Sequence, residues 1–149
     1  MPSITTGYLY TFFALIAVSG ILIASFVDYA NAIRFSSEVK TLRDLMDFVA
    51  AEATELLTAA LTANASAETY IEAPAAIGDK QYWLALRNDS VRVWLEGGFG
   101  KTPTISGVLC VYLTVEAEAS GYYVGGYGAI CLTCSTGANA PKITISALS

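Results

Sequence analysis

The chain has 149 residues, room for one domain and an appendage. It is 54% hydrophobic and 14% charged, with a mean hydropathy of +0.52; an ordinary soluble domain carries about 25% charged residues, so part of this chain needs cover other than water. A net charge of −5 argues against nucleic acid and anionic lipid surfaces as partners, and the lack of histidine removes histidine bases, triads and metal ligands.

The first predicted element is a long helix. No proline interrupts residues 4 to 61, and Gly20 is the sole glycine inside the stretch after Gly7. Its first part, Tyr8 to Val27, carries no charge and has about the ~20 residues a helix needs to cross a bilayer. No lysine or arginine precedes it. A secretory signal has a basic start and a shorter apolar core, so this segment is expected to be retained. The residues expected to pack in an apolar core are Tyr8, Leu9, Phe12, Phe13, Leu15, Ile16, Val18, Gly20, Ile21, Leu22, Ile23, Phe26 and Val27. Gly20 and small neighbours such as Ala17 and Ser19 would let helices approach closely.

After Asp28 the helix becomes amphipathic, over residues 28–62. Phe35, Val39, Leu42, Met46, Val49, Ala53, Leu56 and Ala60 recur at steps of four and three. This spacing reads as a heptad seam for packing with further helices. A helix of some 55 residues would be roughly 80 Å long. A domain built from the remaining residues is only about 25 Å across. The helix is therefore expected to find partners outside its own chain.

From residue 64 the pattern turns to strands and turns. Tyr82–Leu86 and Val91–Leu95 flank Arg87-Asn88-Asp89-Ser90 as a hairpin, and Gly97-Gly98-Phe99-Gly100 breaks the chain. Val108–Val115, Ala129–Thr133 and Lys142–Ala147 read as further strands; Gly121–Gly128 is a Gly/Tyr stretch. The fold expected is α+β: a long N-terminal hydrophobic helix over residues 1–63, then a small antiparallel β-sandwich or barrel-like domain over residues 64–149.

Asn64-Ala65-Ser66 and Asn88-Asp89-Ser90 match the N-glycosylation pattern; the alternative is that Asn64 ends the helix and Asn88 makes a turn. The three cysteines, Cys110, Cys131 and Cys134, allow one disulfide and a free thiol in three pairings. Cys110–Cys134 is preferred as a staple between strands, with reduced cysteines as the alternative. Cys131-Leu132-Thr133-Cys134 has redox spacing but no helix following it. Gly125-Gly126-Tyr127-Gly128 lacks the following helix and lysine of a phosphate loop. No nucleophile–base pairing or cofactor motif is apparent, and an enzyme is not expected.

An uncharged aromatic- and Ile/Leu/Ala-rich N-terminal helix, running unbroken into an amphipathic half and a compact β domain, resembles the type IV pilin superfamily, and most of all its archaeal branch of pili and archaella. The most specific part is Gly7 to Leu57. Thr5 stands where bacterial members carry a glutamate if Met1 is the mature start. The resemblance implies an extracellular filament of many copies, with helices at the core and β domains outside. It also implies membrane insertion before assembly by dedicated pilus machinery, and a role in surface attachment. The alternatives are an archaellum subunit or a membrane-anchored surface protein that does not polymerise.

Overall fold

The computed structural model describes residues 3–89, 92–103, 109–114, 116–136 and 140–148, with side chains described from Gly7 onward. Helix α1 spans Ser3–Ala63. Alanine, leucine and other good helix formers fill it, with no interior proline. It stops at Asn64, whose φ of 47° is the left-handed conformation that commonly ends a helix, and Ala65 N donates to Ala60 O at 3.2 Å. Seven strands follow: β1 (Ala67–Ile71), β2 (Tyr82–Asn88), β3 (Val93–Phe99), β4 (Leu109–Leu113), β5 (Glu118–Val124), β6 (Ile130–Thr136) and β7 (Pro141–Ala147). The arrangement is α+β. The strands form one sheet in the order β1-β6-β7-β5-β2-β3-β4, antiparallel except for β5 beside β7. The C-terminal half of α1 lies on its inner face, where a sandwich would carry a second sheet.

The chain divides into two compact units between Ser37 and Glu38. In the second unit, Leu42, Met46, Val49, Ala50, Ala53, Leu57 and Ala60 join Leu84, Leu95, Leu132, Ile143 and Ile145 in one buried core. The helix therefore does not need another chain from Leu42 onward, which corrects the expectation drawn from the seam. The period is corrected too. Residues 42, 46, 49, 53, 57 and 60 recur at the ~3.6 residues of a straight helix, not the 3.5 of a heptad. Hence Leu57 is fully buried and Leu56 only half-buried, while Val39 is half-buried and Phe35 exposed.

Gly97 and Gly98 do not break the chain; they lie inside β3. A Cβ at Gly97 would lie 2.6 Å from Met46 Sδ, and one at Gly98 would press on the ring of the fully buried Trp83. These glycines let the helix and the Trp83 ring sit close to the strand. The Gly/Tyr stretch is also partly strand, because β5 lies between β7 and β2. Gly121 holds the one parallel join: its φ is +102°, and a Cβ there would run into the carbonyl oxygen of Ile145. The hairpin turn is shifted by two residues. Arg87 and Asn88 complete β2, and Asp89 N bonds to Arg92 O at 2.9 Å. Of the predicted strands and turn, Ser90, Val91, Val108 and Val115 lie outside the described residues.

Candidate assembly surface

Among the described residues the first unit, up to Ser37, is helix alone. The large apolar side chains from Tyr8 to Phe35 are 52–74% exposed. They point in every direction around the helix, because no polar face separates them between residues 8 and 27. By length and composition the helix is able to cross a membrane, with a mean hydropathy of 2.2 in its most apolar window. Every predicted core residue from Tyr8 to Val27 is exposed in the isolated chain.

Two hydroxyls in this stretch, those of Thr11 and Ser25, are satisfied by the helix's own backbone. Thr11 Oγ1 donates to Tyr8 O at 2.9 Å, with Gly7 O at 3.2 Å, and Ser25 Oγ donates to Ile21 O at 2.9 Å. Hydroxyls turned back onto the helix backbone leave methylene and methyl groups outward. That suits an environment with no water, whether lipid or packed protein. Gly7 and Gly20 have open space where a Cβ would stand, so no contact among the described residues requires glycine there.

The apolar surface does not end at Asp28. Tyr29, Ile33 and Phe35 remain more than half exposed beyond it. The helix then reaches Glu38, which is tied to the β domain. Lys80 Nζ donates to Glu38 Oε2 at 2.7 Å and lies 5.6 Å from the Phe99 ring centre.

The β domain displays aromatics on its outer side. Tyr70, Tyr112, Tyr122 and Tyr127 are exposed. Trp94 and Tyr112 stand 6.4 Å apart, and one carboxylate, Glu96, accepts from both Trp94 Nε1 (2.8 Å) and Arg87 Nε (2.7 Å). Tyr123, by contrast, is buried against Tyr82, with hydroxyls bonded to Gly128 O and Pro74 O, both at 2.7 Å. Burial, above all, lifts both phenols above their usual range.

The predicted Cys110–Cys134 disulfide is not formed, and the sheet explains why. Cys110 lies on β4 at one end, Cys134 on β6 near the other, five strand steps apart. At about 4.8 Å per step, the path far exceeds disulfide reach. Cys110 faces outward and Cys134 inward. Cys131 and Cys134 share β6 but stand on opposite faces. Burial raises both the Cys134 thiol and the Cys110 thiol, the latter with help from Glu96, so neither is an activated thiolate. Among the described residues no three His, Cys, Asp or Glu side chains converge on a metal-sized site.

Asn64 and Asn88 are both exposed, at the helix end and the end of β2 respectively. No protein family, no curated protein and no solved structure was found to match this chain.

Proposed function

We propose that this chain is the structural subunit of an extracellular type IV pilus-like filament that serves surface attachment. It is inserted in the membrane before assembly by pilus machinery, and afterwards packed with copies of itself through α1. The observation that carries this reading is the exposed apolar surface beyond Asp28. Tyr8 to Val27 already spans the ~30 Å of a hydrocarbon core. Tyr29, Ile33 and Phe35 lie past it, where a lone anchor leaves them in water. A bundle of identical helices covers them. Burying each large side chain is worth about 1.5–3 kcal/mol, which favours assembly and makes the fibre hard to dissolve. In this reading the outer tyrosines of the β domain face the surroundings, and Asn64 and Asn88 are accessible for N-linked sugar.

The second reading, a non-polymerising membrane anchor, draws on the back-bonded Thr11 and Ser25 hydroxyls, which suit lipid as well as protein. The two readings separate when the order of residues 8–27 is scrambled at constant composition. An anchor needs hydropathy only; a polymer needs the side chains in place. Filaments sheared from expressing cells are expected to vanish while the scrambled chain remains in the membrane. Filaments of normal abundance from the scrambled chain would overturn the polymer reading.

A further inference from the structure

The sheet ends in two strands of equal length, β1 at one end and β4 at the other. Among the described residues no strand pairs with the outer side of either. A free edge offers a row of backbone donors and acceptors, and proteins usually guard it with charge, proline or a bulge. β4 is Leu-Cys-Val-Tyr-Leu and has neither charge nor proline; β1 is Ala-Glu-Thr-Tyr-Ile, whose Glu68 faces outward.

The two edges match each other. Five antiparallel pairings and one parallel pairing link β1 to β4, so the two run in opposite directions. A second copy displaced along the sheet, without being turned over, therefore brings its β1 antiparallel to β4. Both strands alternate in the same way: positions one and three half-buried, two and four exposed, five buried. With Thr69 opposite Val111, the inward residues Ala67, Thr69 and Ile71 meet Leu113, Val111 and Leu109. Tyr70 then falls opposite Cys110. The pleat is satisfied on both faces.

There is also space for the added strand. An open groove of about 620 Å³ lies between α1 and β4, with Asp47, Ala50, Ala51, Thr54, Glu55 and Thr58 on the helix side and Val111, Tyr112 and Thr114 on the strand side. The Thr54 and Thr58 hydroxyls are bonded to backbone carbonyls at 2.8 Å, so neither needs a partner from an added strand. Val111 is left half-buried beside it.

We infer that β4 of one copy receives β1 of the next, continuing the sheet from subunit to subunit over the outside of the filament. The inference rests on the polymer reading above. A contact between two different surfaces of one chain is head-to-tail, and when its rotation does not close it generates a filament, not a ring. Backbone pairing supplies the contact, as in other strand-addition interfaces.

The native Cys110 provides the test. Tyr70→Cys and Glu68→Cys are each made in full-length chain carrying Cys131→Ser, since Tyr70 faces Cys131 within its own sheet. The two positions cover the stated register and the next one that keeps the pleat. Filaments are oxidised with copper phenanthroline and run on a non-reducing gel. The expected result is a ladder of dimers, trimers and longer species from one variant, lost when Cys110→Ser is added. In unmodified filaments, maleimide labelling of Cys110, read by peptide mass spectrometry, is expected to be about tenfold slower than in detergent-dissociated chain. Visible filaments with no ladder from either variant, or with equal labelling of Cys110, overturn the edge pairing and leave the polymer reading standing. Absence of filaments from the unmodified chain overturns both.

Discussion

The two parts of α1 on either side of Ser37 belong to one unbroken helix and solve opposite problems. After Glu38 the helix has one apolar face, which the sheet buries, and charged residues elsewhere. Before Ser37 the helix is apolar all round from Tyr8 to Val27, and its large apolar side chains there are all exposed among the described residues. The contrast separates two kinds of helical hydrophobicity. A one-sided stripe at the period of a straight helix signals a partner within the chain, while an all-round apolar surface signals an environment. The first half belongs to whatever surrounds the protein, and the second belongs to the fold.

Substitutions in the two halves should therefore have separable effects. The largest is expected from Leu15→Asp or Leu22→Asp, which places a charge inside the apolar surround. Filaments should disappear from electron micrographs, while the circular-dichroism signal of the β domain is kept. Intact fibres would break the comparison. Next is Leu57→Ala, which should cost the second unit about 2–5 kcal/mol by leaving a cavity, read by denaturant unfolding. If Leu57→Ala instead abolished assembly without loss of stability, the seam would belong to the bundle after all. Gly121→Ala should also cost the sheet about 1–3 kcal/mol, since it forces an L residue into left-handed backbone against Ile145 O.

The comparison also has a pH signature. Burial holds the Tyr82 and Tyr123 phenols neutral in the fold, above the ordinary value of 10.0. The unfolded chain loses these protons first as pH rises. Their contribution is therefore complete below pH 10 and declines from there upward toward the folded values. Tyr82→Phe should lower stability by about 1 kcal/mol at neutral pH, through loss of the bond to Pro74 O, and should weaken the alkaline loss. The smallest effect is expected from Glu38→Gln. Its partner Lys80 is 41% exposed, and the pair should be worth under about 1 kcal/mol.

Much of this architecture could be read from residue patterns, and the parts that could not share one cause. The helix, its end near Asn64 and the strands around Trp83, Trp94, Leu132 and Ile143 follow from local periodicity and turn residues. Non-local packing decides the rest. Gly97 and Gly98 read as a break, yet they sit in a strand because Met46 and Trp83 fill the room their missing side chains leave. β5 contains Ser120-Gly121 and shows locally only the start of a Gly/Tyr stretch, yet pairing on both sides makes it a strand. β1 also went unpredicted; its pairing with β6 places it at the sheet edge. The cysteine pairing required the strand order, which places β4 and β6 far apart and which local spacing does not encode. A 3.5 and a 3.6 period differ by little over four turns, so the seam was legible but its partner was not. The candidate assembly surface, by contrast, is local, and Tyr8 to Val27 is visible as a bare run of letters.

The most direct test of the central claim is cryo-electron microscopy of filaments sheared from cells that express this chain, with the density traced against the sequence. The account predicts a fibre whose axis is lined by Tyr8–Val27 from many copies, with Tyr29, Ile33 and Phe35 covered by neighbouring helices. Finding the chain only as isolated copies in the membrane, with no fibre containing it, would contradict the account.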